Sequence, residues 1–123
     1  MSSKKVLRLS PESTNGLEPC SFVPAEAVID GKPIELGASF CSSSDQKFHV
    51  GVWQSTAYAE DLGEAGYPAD EFCVVLSGSA SLTDEAGKSE VFSAGDCYFV
   101  PKGFKGSFRV IETMRKYYVI YEG

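Results

Sequence analysis

The feature that most constrains this chain is a succession of short β-type runs, punctuated by turn residues, with no amphipathic stretch long enough to build a helical layer. From about residue 34 the runs fall at 34–41, 47–55, 71–76, 80–83, 90–92, 96–100, 107–112 and 114–122. They are rich in Val, Phe, Tyr, Ile and Thr, side chains that pack well on a pleated surface. Leu76-Ser77-Gly78-Ser79 and Asp84-Glu85-Ala86-Gly87 read as polar turns carrying a glycine, the composition a hairpin reversal needs. Only 24–29 and 57–65 have scope for a helical turn, and Gly63 weakens the second. Many short strands without crossover helices predict an all-β fold of antiparallel strands in two sheets, a sandwich or a barrel.

One such domain is what 123 residues with 43% hydrophobic content can close around a single core. Residues 1–33 read as an N-terminal arm, with scope for short strands packing on the body or on a partner subunit, and 34–123 as the body. The formal charge of −6 is spread along the chain and repels phosphate backbones and anionic membrane surfaces, so neither nucleic acid nor a membrane is an expected partner. No apolar run approaches the roughly 18–20 residues of a membrane helix. Cys20, Cys41, Cys73 and Cys97 are far apart, without a C-x-x-C pair and without an apolar signal segment before them, which predicts reduced thiols and a cytoplasmic protein.

Two stretches narrow the all-β reading. In Glu71-Phe72-Cys73-Val74-Val75-Leu76-Ser77-Gly78 a glutamate precedes a glycine with six residues between them. Gly95-Asp96-Cys97-Tyr98-Phe99-Val100-Pro101-Lys102-Gly103 follows after one hairpin. The spacings resemble the second half of the first cupin motif and the opening of the second, which implies a double-stranded β-helix, the cupin jelly-roll barrel. The backbone chemistry agrees: Gly95-Asp96 suits a turn that launches a strand, and Pro101-Lys102-Gly103 suits its end, because proline cannot donate to a ladder and glycine permits the bend. The flanking text, Gly51-Val52-Trp53-Gln54, Tyr67-Pro68-Ala69-Asp70 and Arg115-Lys116-Tyr117-Tyr118, is similar to the small cupins grouped with (S)-ureidoglycine aminohydrolase and the ethanolamine-utilisation cupin.

In metal-binding cupins two histidines separated by one residue sit shortly before the glutamate, and a third follows the second motif. The resemblance puts Ala65, Tyr67 and Gly106 in those positions, leaving Glu71 alone of the four. A first-row metal needs about three side-chain donors, and alanine and glycine offer none. No cofactor is therefore expected; the alternative is a rebuilt divalent-metal site from His49, Tyr67, Glu71 and Cys73.

Strand alternation places Glu71, Cys73 and Val75 on one face. A carboxylate turned into the barrel needs a cation, hydrogen-bond donors or a proton. Lys105, Arg109, Arg115 and Lys116 can supply the cation. The functional reading makes Glu71 an acid or base and Tyr67 a hydroxyl donor, with Trp53 as an apolar wall and Cys73, Lys105 and Arg115 as ligand contacts, a basic residue receiving a substrate carboxylate. The structural reading makes Glu71 half of an internal ion pair, Tyr67 a filler of lost histidine volume, and Trp53 and Cys73 core residues. Gly106 in place of a histidine predicts open space beside Lys105.

Three functions fit these residues: metal-independent acid–base chemistry on a small polar metabolite, a non-catalytic ligand-binding or accessory cupin, and a metal-dependent hydrolase resembling ureidoglycine aminohydrolase. The residues leave open whether the chain is an enzyme. The end strand Tyr117-Tyr118-Val119-Ile120-Tyr121 is apolar on both faces, so one packs in the barrel and the other against another sheet, the N-terminal arm or a second subunit, and the resemblance implies a homodimer.

Overall fold

The computed structural model describes residues 4–123, so the first three residues of the expected arm lie outside it. Nine antiparallel strands form one curled sheet: β1 Glu18–Cys20, β2 Val28–Gly31, β3 Glu35–Ser42, β4 Phe48–Ser55, β5 Tyr58–Asp61, β6 Asp70–Asp84, β7 Ser89–Ser93, β8 Cys97–Val100 and β9 Gly106–Tyr121. A single 3-10 turn, Ala25–Ala27, is the only helix among the described residues. The strand order is β1-β3-β4-β9-β5-β2, with β6 joining β9 to both β7 and β8.

Two long strands close this sheet on itself. The first part of β6, residues 71–74, pairs with β8, and the last part, residues 79–83, pairs with β7; both parts also pair with β9. β9 in turn pairs with β5 through residues 107–110 and with β4 through residues 114–121. Each strand therefore belongs to both halves of an antiparallel jelly-roll barrel, the fold expected from the sequence.

Here the structure corrects the expected turn at 76–79. The runs 71–76 and 80–83 are one strand, as are 107–112 and 114–121. The β6 register against β9 breaks between Val75 and Ser77, between Ser77 and Ser79, and between Ser79 and Ala80, so the chain bends through bulges instead of reversing. Gly78 is required there for two reasons: its φ is +74°, and a Cβ would lie 2.0 Å from the Thr113 carbonyl oxygen. The Asp84–Gly87 turn does reverse the chain, held by Gly87 N–H donating to Asp84 O at 3.0 Å.

The helical option at 57–65 is also corrected. Tyr58, 2% exposed, points into the core while β5 pairs with both β2 and β9, so ladder bonds and burial override local propensity. The option at 24–29 shrinks to the 3-10 turn. Residues before 34 contribute β1 on the edge of β3 and β2 on the edge of β5, and the Arg115 guanidinium ties the preceding segment down by donating to Pro11 O at 2.9 Å.

Alternation holds along β6. Glu71, Cys73 and Val75 are buried, whereas Phe72 is 44% exposed on the outer face beside its cross-strand partner Phe99. Inward-facing Tyr58, Val110 and Met114 pack with Val75 and Phe108 around the barrel interior, each large side chain contributing about 1.5–3 kcal/mol on burial.

Candidate functional site

The barrel interior is not filled. Strands β4, β5, β6, β8 and β9 turn Trp53, Tyr58, Glu60, Glu71, Tyr98, Phe108, Lys116 and Tyr118 into a cavity of about 710 Å³. The connection after β1, with Phe22, Val23 and Pro24, and the loop after β5, with Leu62 and Tyr67, form its remaining walls. Backbone bonds pin that loop: Tyr67 N–H donates to Phe104 O and Gly103 N–H to Tyr67 O, both at 2.8 Å. Tyr67 is thereby held against the turn that ends β8.

A polar cluster lies on the cavity floor. Lys116 Nζ stands 3.0 Å from Glu71 Oε2 and 3.1 Å from the Tyr98 hydroxyl. The Tyr67 hydroxyl donates to Glu71 Oε1, and the Cys73 thiol donates to Glu71 Oε2 at 3.1 Å. Lys116 reaches this place because its cross-strand neighbours are Trp53 on β4 and Val75 on β6, the strand that carries Glu71. Its ammonium also lies 5.1 Å from the Trp53 ring centre and 5.3 Å from that of Phe108, within range of cation–π attraction.

The charges in this cluster are locked by one another. Burial pushes the Glu71 carboxyl up, but Lys116, Tyr67 and Cys73 outweigh it and hold the group below the usual carboxylate range. Burial likewise opposes the charge on Lys116; the Cys73 and Glu71 groups beside it win, and its pKa rises well above that of an ordinary lysine. Burial pushes the Cys73 thiol up to about 12 and raises the Tyr67 and Tyr98 hydroxyls as well.

Two further carboxyl groups lie close by, Glu60 in the cavity lining and Glu35 buried next to Trp53. Glu35 accepts from Phe22 N–H at 2.9 Å, from Val23 N–H at 3.3 Å and from the Trp53 indole N–H at 3.1 Å. Glu60 accepts only from the Tyr58 hydroxyl, and burial raises its pKa against the opposing pull of Tyr58 and Lys116.

A family model described as the EutQ-like cupin domain matches residues 42–118. The chain belongs to this cupin family. Solved structures carry the same fold. A protein of unknown function from Pseudomonas syringae pv. tomato is 23% identical, with a TM-score of 0.81 over 91% of this chain and 46% of its own. The EutQ protein of Clostridium difficile is 21% identical, with a TM-score of 0.61 over 75% of this chain and 65% of its own. A DUF861 family protein from Thermotoga maritima is 31% identical, with a TM-score of 0.51 over 57% of this chain and 76% of its own. The cupin described here thus spans under half the length of the Pseudomonas protein. No curated protein matches it. Membership of the EutQ-like family agrees with the small-cupin resemblance read from the motifs; a specific kinship to ureidoglycine aminohydrolase does not follow from it.

The residues of this cupin do not fit the metal that its fold family implies. Glu71 is the one carboxylate left of that ligand set, its oxygens already accept from Lys116, Tyr67 and Cys73, and an ammonium ion stands where a second cation would be repelled. The alternative set is not brought together either. His49 lies elsewhere on the cavity wall with Nδ1 2.8 Å from Ser42 Oγ and Nε2 2.8 Å from Glu122 Oε1. Among the described residues no group of three or more His, Cys, Asp or Glu side chains is placed to hold a metal ion.

Of the residues singled out in the sequence, Glu71, Tyr67 and Trp53 meet at the cavity, and Cys73 is buried behind Glu71, to which its thiol donates. Lys105 and Arg115 do not reach the cavity. Lys105 lines a surface depression with Asp61, Glu64 and Asp84, and Arg115, on the outward side of β9, donates to Gln54 Oε1 at 2.9 Å. Arg109 pairs with Asp30 at the surface. The open space expected beside Lys105 is present, since Gly106 lines the same surface depression, but it is not room left by a lost side chain: with φ at +147°, a Cβ on Gly106 would lie 1.9 Å from the Thr83 carbonyl oxygen. That glycine allows β9 to start against β6; it does not vacate a ligand position.

Sequence reasoning left Lys116 as one of four possible cations and passed over Tyr98, Glu35 and Glu60. Alternation along β9 contains the missing signal, since Met114, Lys116 and Tyr118 share the buried face while Arg115 lies on the other. Glu60 carries no such signal, because β5 was not legible as a strand.

Proposed function

We propose that this chain is a ligand-binding cupin whose cavity holds a small molecule without metal and without proton-transfer chemistry on its floor. The observation that carries the reading is the Lys116–Glu71 contact of 3.0 Å beneath the cavity. It fixes both charges. General acid–base catalysis works best with groups that titrate near the operating pH, whereas here Glu71 is held down, and Lys116, Tyr67, Tyr98 and Cys73 are pushed up. The cluster instead offers fixed hydrogen-bonding partners under aromatic walls, which suits recognition. A metal-dependent hydrolase lacks a donor set here. The second copy implied by the family resemblance would cover the outer face where Phe72 and Phe99 are 44% and 57% exposed.

Trp53 is the only tryptophan in the chain and lines the cavity, so its fluorescence reports occupancy directly. Titration with a panel of small metabolites is expected to give saturable changes in Trp53 emission with no turnover of the bound compound. A compound converted at a rate that Glu71→Gln abolishes would overturn the reading in favour of an enzyme. A panel that leaves the emission unchanged at millimolar concentration would remove the binding function itself.

A further inference from the structure

We propose that the ligand of this cavity carries a positive charge, an amine or amidinium-type group on an apolar body, and that Glu60 is its counter-ion. The inference rests on the binding reading above and names its ligand class.

Two carboxyl groups, Glu60 and Glu71, line the cavity with one buried ammonium, Lys116, and a third, Glu35, is bonded to the Trp53 indole outside the lining. Two of them are satisfied by the protein. Glu71 has Lys116, Tyr67 and Cys73, and Glu35 has two backbone N–H groups and the Trp53 indole. Glu60 has the Tyr58 hydroxyl alone and is committed to no cation. Every charged group that acts on it from the neighbouring strands is accounted for: Lys116 on β9 attracts it, and Glu35 on β3 and Glu71 on β6 repel it. Since Lys116 is already bound to Glu71, no cation of the cavity lining is left to pair with the Glu60 carboxylate.

The mouth has the same sign. Glu26 and Asp61 line it, and Glu122, which also lines it, is 2.8 Å from the only histidine. Around Glu60 the wall is aromatic: Tyr58 and Phe108 lie with ring centres 6.3 Å apart, and Phe108 and Trp53 with theirs 6.4 Å apart. Aromatic faces and a carboxylate together favour an organic cation, which gains from both, and repel a carboxylate. The substrate carboxylate expected from the sequence is thereby replaced: the single interior cation is taken, and the vacant partner is an acid.

Three aromatic probes of similar size and different charge test this by Trp53 fluorescence: benzylamine, benzyl alcohol and benzoate. At neutral pH and low salt the amine is expected to bind about tenfold more tightly than the alcohol, with benzoate weakest. Glu60→Gln should bring the amine to the affinity of the alcohol and leave the alcohol unchanged. In the unaltered protein the amine preference should fade as pH drops through the raised titration of Glu60, because protonation removes the counter-ion, and this readout needs no variant. If the alcohol binds and the amine gains nothing, or if the gain survives Glu60→Gln, the cation assignment is wrong while the binding cavity stands. If none of the three changes Trp53 emission, the cavity reading fails and the assignment with it.

Discussion

Replacing Lys116 by methionine isolates the electrostatic core of this barrel. The side chains have similar length and the site is only 8% exposed, so packing is largely kept while the charge is lost. Glu71, 3% exposed, is then left among Tyr67, Cys73 and apolar walls without a cation. Removing one partner of a buried pair costs about 3–5 kcal/mol. With an unfolding entropy of about 2.1 cal/mol/K per residue, 123 residues convert this to a fall in Tm of about 12–19 °C at pH 7. The pH dependence should change sign. In the unaltered protein Glu71 has a depressed pKa, so its contribution is full above the unfolded carboxyl pKa and is lost as pH falls through the lower folded value. Without Lys116, burial raises the Glu71 pKa, the folded state binds the proton more tightly, and stability recovers as pH falls. Thermal unfolding of both proteins from pH 8 to pH 4 should therefore give converging curves. The double variant Glu71→Gln/Lys116→Met should regain at least half of the loss, since the amide needs no cation. A fall in Tm under about 4 °C, a penalty independent of pH, or additive effects in the double variant would refute the account of the cluster.

The thiols should divide by environment: alkylation of the native protein at pH 8 followed by peptide mapping is expected to label Cys41 and Cys97, both exposed, quickly and to leave Cys73 intact until the protein unfolds, because burial pushes that thiol up to about 12. Fast labelling of Cys73 would mean that the cavity floor is open and the thiol ionises. At the start of β9, Gly106→Ala should lower stability by about 1–3 kcal/mol in denaturant unfolding through backbone strain and contact with Thr83, whatever the ligand state. A neutral effect would restore the idea of a vacated side-chain position.

The sequence by itself determined the class of fold and the centre of the site. Alternation put Glu71, Cys73 and Val75 on one face, and glycine and proline spacing gave the strand starts and ends, because these are local rules of backbone geometry. The family resemblance added that Ala65 and Tyr67 stand where metal-binding cupins carry histidine. What only the tertiary structure decided was which side chains meet across strands. Gly78 looks like a hairpin turn locally, yet its close approach to Thr113 in β9 makes it a bend inside a long strand. Alternation separates Lys116 from Arg115, but only the register that aligns Lys116 with Trp53 and Val75 brings it to Glu71. Glu60 entered the site only when Tyr58 was anchored in the core and drew β5 into the ladder. Pairing between strands distant in sequence depends on burial and hydrogen bonds summed over the closed barrel, and no local pattern encodes that sum.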